Sequence, residues 1–392
     1  MIRVLYDDQG FFGRYSGVAR YFTEVMKRLP EGFQYKIPLA SSDNIVLQRP
    51  PFNLPPHRQD VNDFVQKFCF GKYFPGVGRV YRLCAQLMPK YFPSGEWANI
   101  KNVRRALAEG DFDVFHMTGA HWVRDDWKIV AGKKPIVVTV HDLIPELLFD
   151  SKRTRRCREK VLAAAAHVIT VSEYTKRDLM QMYGVPEEKI TVIYHGYIAP
   201  ASTGVKMQLP VEKPYVLYVG KRSGYKNFNW FVKAIAPVLK SCPDLHLFCT
   251  GMPFSSGEIS MIEGMGIRDR VFQAFVPDEE MPSLFANAEV FVYPSLYEGF
   301  GIPILDAFAA RCPVLLSNAS CFPEVGGDAA LYFNPNDEGD FREKIAILIG
   351  NNQGGIGIRK QMIERGISRL KNFSWDKCVK ETTDVYCHLV QG

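Results

Sequence analysis

Short apolar runs alternate with longer stretches of helical periodicity along most of the chain. Runs of four to eight mainly apolar residues are typical of strands buried on both faces of a sheet, whereas apolar residues three and four positions apart are typical of helices. The predicted strands cover residues 2–6, 33–40, 114–117, 136–140, 168–171 and 190–194, and then 215–220, 245–249, 271–276, 290–293 and 313–316. This alternation predicts an α/β fold with doubly wound parallel sheets, whose ligands bind at the carboxyl ends of the strands.

The strand predicted at 290–293 is followed by a turn that carries candidate chemistry. Glu298 comes first, then the sequence Gly-Phe-Gly at 299–301, then a helical pattern over 302–310 that contains Asp306. Glycines let the backbone approach a ligand closely, and the first N–H groups of a helix have no partner inside the helix, so an anion can bind there. The sequence therefore predicts an anion site bracketed by two carboxylates.

A second turn, between the strand at 215–220 and the helix after it, carries three cations. They are Lys221, Arg222 and Lys226. Arginine presents a planar fork that fits phosphate oxygens and lysine adds a point charge, so this cluster and a helix N-terminus can hold a diphosphate without a metal ion. A loop of solvated charges is the simpler interpretation, and the position at the carboxyl end of a strand favours the binding site.

Glycine and histidine mark the ends of strands in the first half of the chain. A glycine-rich loop covers 10–17 and precedes a helix, so Gly17 can face a phosphate or a sugar, although glycine turns end many strands. His116, His141 and His195 lie at the ends of three other predicted strands. A histidine there is more often packed or capping than catalytic, and the pattern alone leaves both interpretations open.

Length and composition indicate a globular protein of two domains. The chain has 392 residues, of which 47% are hydrophobic and 23% are charged, and a single core rarely grows to that size. The net charge of +6 suits an anionic ligand or an anionic membrane surface, whereas a nucleic-acid-binding protein is usually more basic and more locally so.

The cysteines and the N-terminal sequence predict a cytoplasmic protein. Nine scattered cysteines form no CxxC pair, which favours free thiols in a reducing compartment. Met1 leads directly into a predicted strand, without the pattern of a signal peptide, and no apolar run approaches the length of a membrane span. A place on the inner face of the membrane stays compatible with this prediction.

The segment 64–107 combines cations with aromatic residues. It contains eight lysines and arginines, at 67, 72, 79, 82, 90, 101, 104 and 105, but one acid, Glu96, and nine aromatic residues lie among them. Such a segment can lie in a membrane interface close to a lipid-linked acceptor. Helices that face the core and keep their charges in water explain it equally well.

Two other stretches have simple interpretations. Residues 199–214 lack periodicity and contain proline, serine and glycine, so they predict a linker between domains. Asp111-Phe112-Asp113 directly precedes a predicted strand, and we interpret its acids as solvated residues at the start of that strand rather than as metal ligands.

These motifs together resemble those of one protein family. The run VFVYPSLYEGFGIPILDAFAARCPVLLSNASCFPEVGGDAALYFNP resembles the donor-site signature of the family-4 retaining glycosyltransferases, which have the GT-B fold. The resemblance extends to LYVGKRSGYKNF, VTVHDLIP and GVARYFTEVMKRL, and it covers most of the chain outside about 41–110. It implies two Rossmann-like domains that face a cleft, a first domain over 1–200 completed by about 375–392, and a donor-binding domain over 201–374.

The resemblance also implies a role for each candidate residue. Glu298 would bind the donor sugar, and His141 would contact that sugar near the reaction centre. The donor-binding residues that it implies are Gly17, Arg222, Lys226, Val276, Gly299, Phe300, Gly301, Ile302 and Asp306. Two positions depart from the family pattern: Asp306 stands where a glutamate is usual, and the arginine of the basic loop is displaced, so Lys221 is a possible substitute for Arg222.

The resulting prediction is a retaining hexosyltransferase that needs neither a metal ion nor another cofactor. It would move a hexose, best mannose from GDP-mannose, to a saccharide or lipid-linked saccharide in the assembly of surface polysaccharide. The alternatives are a UDP-sugar-dependent transferase, a sugar phosphorylase or epimerase on the same scaffold, and a non-catalytic subunit that binds a sugar nucleotide.

Overall fold

Two parallel six-stranded sheets form the framework of the protein. In this computed structural model the described residues are 1–11, 13, 16–56, 69, 72, 74–87, 95–119, 124–197, 214–222, 224–350 and 352–391. The first sheet has the order β2-β1-β3-β4-β5-β6, and the second has the order β12-β11-β10-β7-β8-β9. All the described strand pairs are parallel, so the predicted fold class is confirmed.

The strands agree closely with the apolar runs. In the first sheet they are β1 Ile2–Tyr6, β2 Phe33–Lys36, β3 Val114–Met117, β4 Ile136–Val140, β5 His167–Thr170 and β6 Ile190–Val192. In the second they are β7 Tyr215–Tyr218, β8 His246–Thr250, β9 Val271–Ala274, β10 Val290–Tyr293, β11 Val314–Ser317 and β12 Leu331–Phe333. Alternate residues of β7 enter different cores, Tyr215 and Leu217 on one face and Val216 and Tyr218 on the other, which explains its continuously apolar sequence.

Helices cover both faces of the sheets. In chain order the first seven are α1 Gly17–Lys27, α2 Ile45–Gln48, α3 Val77–Leu87, α4 Gly95–Glu109, α5 Ile144–Leu147, α6 Lys152–Ala164 and α7 Glu173–Tyr183. The next eight are α8 Phe228–Ser241, α9 Ser256–Gly264, α10 Met281–Asn287, α11 Ile302–Ala309, α12 Phe322–Gly326, α13 Glu338–Ile349, α14 Gln353–Arg369 and α15 Trp375–Gln391. Short 3-10 helices cover Gln9–Phe11, Asp126–Ile129, Glu187–Lys189, Gly224–Lys226, Arg268–Arg270, Gly327–Ala329 and Leu370–Asn372.

The strand order creates one switch point in each sheet. β1 lies between β2 and β3, and β7 lies between β8 and β10, so the chain winds outward in both directions from the first strand of each series. Loops that leave the carboxyl ends of such neighbouring strands diverge and open a crevice, which is where α/β sheets bind ligands. The loop at 10–17, the basic loop after β7 and the turn after β10 all start at these points.

The last helix returns to the first sheet, as the resemblance implies. Tyr386 on α15 is fully buried in the core with Tyr6 of β1, and their hydroxyl oxygens are 2.9 Å apart. At the start of α15, a Cβ atom added at Gly196 would lie 2.2 Å from the backbone nitrogen of Trp375. Only glycine fits this approach, so the end of the first series and the start of α15 pack directly on each other.

A few predictions differ from the structure or fall outside it. β2 ends at Lys36 instead of residue 40, because Pro38 cannot donate a hydrogen bond to a strand ladder. The three-residue strand β12 was not predicted. Most of the predicted linker at 199–214 lies outside the described residues, and the domain boundaries at 200 and 374 stay predictions. Among the described residues, no helix is both long and apolar enough to cross a membrane.

Candidate functional site

The turn between β10 and α11 lies at the centre of the second sheet. β10 is buried along its whole length and pairs with β7 on one side and β11 on the other. Gly301 has a φ of +92° and starts α11 without a side-chain cap, so the turn depends on the left-handed conformation that glycine adopts readily. A Cβ at Gly301 would also lie 3.1 Å from the ring of Phe322. The predicted strand, glycine turn and helix are confirmed.

Glu298 and Lys226 meet above this turn. Lys226 Nζ lies 2.5 Å from Glu298 Oε1 and donates a hydrogen bond of 3.1 Å to the hydroxyl of Tyr293. The side chains of Lys226 and Glu298 are 13% and 11% exposed, respectively. The residue predicted to bind the sugar and a residue predicted to bind the diphosphate therefore lie side by side, at the carboxyl ends of neighbouring strands.

Two residues that the sequence did not point out hold Glu298 in place. The backbone N–H of Glu298 donates to Ser320 Oγ at 3.0 Å, and Cys321 Sγ donates to the carbonyl of Glu298 at 3.2 Å. Ser320 has a φ of +49°, which is uncommon for a residue other than glycine. Both residues lie in the loop after β11, the strand beside β10, so no local signal near Glu298 could reveal them.

Gly299 brings the second sheet against the predicted catalytic histidine of the first. A Cβ added at Gly299 would lie 1.7 Å from the carbonyl oxygen of His141. The carbonyl of Gly299 also accepts a 3.5 Å hydrogen bond from Thr175 Oγ1 on α7. His141 and the turn after β10 thus face each other across the cleft, and Gly299 is needed because any side chain would separate them.

His195, another predicted strand-end histidine, is part of the cleft wall. The residue is 4% exposed, and its ring stacks on the ring of Phe300, with centroids 4.6 Å apart, and more distantly on Trp375. Burial lowers the pKa of His195 well below its usual value, and the nearby His141 and Arg20 lower it further. The imidazole is therefore neutral at neutral pH.

His116 belongs to the core instead of the cleft. It is fully buried and hydrogen-bonded through Nδ1 to the hydroxyl of Tyr386 and through Nε2 to the hydroxyl of Thr139. Burial lowers its pKa to about 3, with a further contribution from His141. Its position at a strand end therefore reflects packing.

The helices α1 and α11, which carry Gly17 and Asp306 respectively, also meet across the cleft. A Cβ at Gly17 would lie 3.7 Å from Ile302 Cδ1, so the first turns of α1 and α11 are in contact distance. Arg20, one turn further along α1, places Nη1 3.5 Å from Asp306 Oδ2, and the two side chains are 33% and 29% exposed. Burial raises the pKa of Asp306, and Arg20 offsets part of that rise.

Arg222, which was predicted to bind the diphosphate, contacts protein groups in the structure. Its Nε donates to Glu258 Oε1 at 2.8 Å, and its Nη atoms donate to three backbone carbonyls, those of Thr250, Met252 and Pro253. Its guanidinium also lies 4.7 Å from the ring centroid of Phe254, and the side chain is 8% exposed. Arg222 thus fastens the loop after β8 in this structure, whereas Lys221 on the same turn is exposed.

The remaining predicted residues have structural surroundings that fit their positions. Val276 lies just beyond β9, is 8% exposed and packs in the core below the site. Asp113 accepts a 2.8 Å hydrogen bond from the backbone N–H of Arg3, whose side chain pairs with both Asp111 and Asp113. Both acids directly precede β3 as predicted, but they pair with Arg3, and the side chain of Asp113 is only 24% exposed, so the prediction of a solvated acid fits Asp111 alone.

Polar contacts with α7 fix how the two sheets face each other. The carboxylate of Glu324 on α12 accepts the backbone N–H groups of Glu173 and Tyr174, at 2.7 and 3.0 Å. The hydroxyl of Tyr297 donates to Asp178 Oδ2 at 2.6 Å. A carboxylate at a helix N-terminus is favoured by the helix dipole, so Glu324 joins the two halves at the base of the cleft.

Two family models together match most of the chain. The model described as Glycosyltransferase Family 4 matches residues 15–198, and the one described as Glycosyl transferases group 1 matches residues 205–369. Their junction falls within the predicted linker. Each half of the cleft is therefore similar to a separately recognised part of known proteins.

Two bacterial proteins are similar in sequence. The O-antigen chain mannosyltransferase B of Escherichia coli is 30% identical over 276 residues, which cover 64% of this chain and 69% of that protein. The O-antigen chain mannosyltransferase RfbU of Salmonella typhimurium is 31% identical over 213 residues, which cover 53% of this chain and 59% of that protein.

Solved structures share the architecture at low sequence identity. HepE from Anabaena, in complex with UDP and glucose, superimposes with a TM-score of 0.72 at 18% identity and covers 99% of this chain and 100% of its own. Sucrose-phosphate synthase from Thermosynechococcus elongatus gives a TM-score of 0.68 at 17% identity, with 99% of both chains covered. These likenesses show that the two sheets are arranged as in a known fold.

Proposed function

The chain belongs to the group 1 and family 4 glycosyltransferases with the GT-B fold, and from this premise we propose that it transfers mannose from GDP-mannose with retention of configuration. The relatives that extend O-antigen chains support mannose as the sugar, and they support a saccharide or a lipid-linked saccharide as the acceptor. The observation that carries the proposal is the Lys226–Glu298 pair opposite His141, because it places a cation and a carboxylate of the second sheet beside a histidine of the first.

The donor would lie along the turn after β10. Glu298 would accept hydrogen bonds from the sugar hydroxyls, while His141 contacts the sugar from the other side of the cleft. Lys226, the backbone at 300–302 and the positive end of α11 would hold the diphosphate and stabilise the charge that it gains on leaving. We propose Lys221 as the second cation, since Arg222 is bonded to Glu258 and to the loop after β8.

The nucleoside would extend from there toward Asp306. Asp306 would accept hydrogen bonds from the ribose hydroxyls, and the backbone at Val276 would contact the base. Because Arg20 contacts Asp306, the ribose and Arg20 would share the same carboxylate. Gly17, which lies near the start of α11, would place its backbone against the phosphates or the acceptor.

The reaction needs a proton acceptor and a charge stabiliser, and the donor diphosphate can provide the first. An acceptor hydroxyl oxygen bonds to the anomeric carbon on the face from which the diphosphate departs, and a phosphate oxygen takes the hydroxyl proton. Positive charge develops on the sugar ring as the bond to the diphosphate breaks. The side chains near that point, Glu298, Lys226 and His141, then act by position and charge, and we propose that no metal ion or other cofactor takes part.

We also propose that the enzyme works at the cytoplasmic face of a membrane that carries the acceptor. In the segment 64–107, the described residues Phe74, Val80 and Leu83 are 43%, 41% and 55% exposed. Val80 and Leu83 lie on α3, which also carries the exposed Arg79. These side chains support a membrane contact at this helix, and the rest of the segment lies partly outside the described residues.

Calorimetry followed by an activity assay tests the donor and the reaction. GDP should bind more tightly than UDP, and GDP-mannose should raise the unfolding midpoint because a ligand of the native state stabilises it by mass action. NMR of the transferred sugar should show the donor's α-configuration, with chelator present throughout. Tighter binding of UDP would indicate a UDP-sugar donor, nucleotide binding without turnover would indicate a non-catalytic subunit, and loss of activity with chelator would refute the metal-free reaction.

A further inference from the structure

Three large apolar side chains project into solvent where the chain leaves α5. Leu147, Leu148 and Phe149 are 42%, 40% and 62% exposed, and together we call them the apolar ridge. Isolated exposed apolar residues are ordinary on protein surfaces, but neighbouring ones that form a patch mark an interaction site.

Buried ionic contacts anchor the segment that carries the ridge. Glu146, the residue before it, pairs with Arg158 of α6, with Oε1 and Nε 2.6 Å apart and both side chains at most 1% exposed. Arg158 Nη1 also donates to the carbonyl of Asp142 at 2.7 Å, and the hydroxyl of Tyr183 donates to Glu146 at 2.9 Å. Buried contacts therefore fix the segment that carries the ridge, while the three apolar side chains remain exposed to solvent.

Cations surround the start of α6, directly after the ridge. This helix has no acid in its first turn, although positive side chains near a helix N-terminus oppose the helix dipole. The cations therefore do not serve the stability of the helix, and such departures from a local rule are typical of functional surfaces. The exposed ones are Lys152, Arg153, Arg155, Arg156 and Lys160. Only two exposed acids, Asp150 and Glu159, lie among them.

The ridge borders the candidate active site. Phe149 Cζ lies 3.7 Å from the position that a Cβ would take at Gly224. Gly224 starts the short 3-10 helix that ends at Lys226, whose side chain contacts Glu298. A partner bound to the ridge would therefore sit at the edge of the cleft that holds the donor.

We propose that the apolar ridge and the exposed cations of α6 bind the surface of an anionic lipid bilayer. Leucine and phenylalanine enter the boundary between headgroups and acyl chains, while lysine and arginine remain at the anionic headgroups. Membrane binding itself is independent of the reaction, but its role in the enzyme rests on the proposed function. If the edge of the cleft lies at the membrane surface, a lipid-linked acceptor can reach the cleft without leaving the bilayer.

Vesicle sedimentation with the full chain tests the contact. Wild type should bind vesicles of phosphatidylglycerol and phosphatidylethanolamine and should bind vesicles of phosphatidylcholine far less. The variant Leu148→Ser with Phe149→Ser, and separately Arg153→Gln with Arg156→Gln, should each weaken binding on the order of tenfold or more. Matched controls remove exposed residues elsewhere: Ile356→Ser for the ridge, and Lys360→Gln with Lys371→Gln for the cations.

Other results would overturn the proposal. The proposal is wrong if both the ridge variant and the cation variant bind vesicles as tightly as wild type does. It is also wrong if the control variants lose as much vesicle binding, or if wild type binds no vesicles. A loss confined to Val80→Ser with Leu83→Ser on α3 would place the contact at 64–107 instead. Far-UV circular dichroism checks that each variant is folded. Because sedimentation requires no turnover, a failed membrane contact and a failed transferase assay are separate results.

Discussion

Lys226 Nζ lies 2.5 Å from Glu298 Oε1, although 72 positions separate the two residues in the sequence. β7 and β10 are neighbours in the second sheet, so the loops that follow them meet. Removing one member of a buried charge pair leaves the other without a partner, which is more costly than the pair itself is stabilising. Substitutions at this pair therefore need a measurement of folding beside every measurement of activity.

Replacing Glu298 by glutamine should remove most turnover and leave the fold intact. The amide keeps the shape of the side chain but loses the charge opposite Lys226, and a lost polar contact to the reacting sugar costs on the order of 100-fold in kcat. Steady-state kinetics and thermal unfolding measure the two effects. Glu263→Gln, at an exposed position of α9, is the control, and unchanged turnover in Glu298→Gln would refute the site.

Lys226→Ala should weaken the binding of GDP much more than that of guanosine. A hydrogen bond to a charged group contributes about 1.5–3 kcal/mol, which corresponds to roughly 10- to 150-fold in affinity. Calorimetry with the two ligands measures the difference. Equal losses for both would show that Lys226 does not contact phosphate, and Lys221→Ala tests the proposed second cation in the same way.

Arg222→Gln should lower stability more than affinity for GDP. Its guanidinium is bonded to Glu258 and three carbonyls in a partly buried network, and leaving such groups without partners costs about 1–3 kcal/mol. Thermal unfolding should therefore show a lower midpoint, and Glu258→Gln should show a similar one. A variant as stable as wild type but with the GDP affinity lost would mean that Arg222 turns to the phosphates when the donor binds.

Gly299→Ala should disrupt the cleft, since its Cβ would lie 1.7 Å from the carbonyl oxygen of His141. The loops must move apart to relieve this clash, so kcat should fall on the order of 100-fold, as misplaced catalytic groups do. Gly257→Ala on α9 is the matched control, because nothing lies within 4 Å of its Cβ position. Normal turnover in Gly299→Ala would show that the two sheets need not approach so closely.

Buried histidines should make the protein less stable in acid. The pKa of His116 is lowered to about 3, so between pH 6.5 and 3 the unfolded chain takes up a proton that the native state does not. Stability therefore falls as pH drops through this window, by about 1.4 kcal/mol per pH unit. Asp7 acts oppositely between about pH 4 and 6, since burial raises its pKa to about 6.

Urea unfolding at pH 7 and pH 5 measures this dependence. His116→Asn keeps one group that can hydrogen-bond Tyr386 or Thr139 but cannot titrate, so the loss of stability between the two pH values should be smaller than in wild type. A structural defect alone would lower both values equally. An unchanged difference between the two pH values would show that His116 does not carry the effect.

The spacing of the apolar residues and the glycines at the turns were sufficient to predict much of the fold. β10 and α11 were predicted because the buried strand is apolar throughout and the turn requires glycine, and both signals lie within a dozen residues. The loop at Arg222 shows the limit of such reasoning. Its position at a strand end was predicted correctly, but Glu258, which bonds the guanidinium, lies on a helix 36 positions away, and no local pattern connects the two.

The support around Glu298 was unpredictable for a related reason. Ser320 and Cys321 are ordinary loop residues in the sequence, and their role follows only from the pairing of β10 with β11. The same holds for Gly196, where the need for glycine comes from the backbone of Trp375, far from it in the sequence. Contacts made by tertiary packing thus complete a site whose centre is local.

The return of α15 to the first sheet affects how the protein is synthesised. β1 leaves the ribosome well before α15, and Tyr386, which fills the core beside β1, is made only after the whole second sheet. The part of the first sheet's core that α15 covers is therefore exposed until the second sheet has been synthesised. A chaperone that shields the β1 face during translation would be expected to increase the yield of active enzyme. A rearranged variant in which α15 precedes β1 in the sequence should depend less on that chaperone.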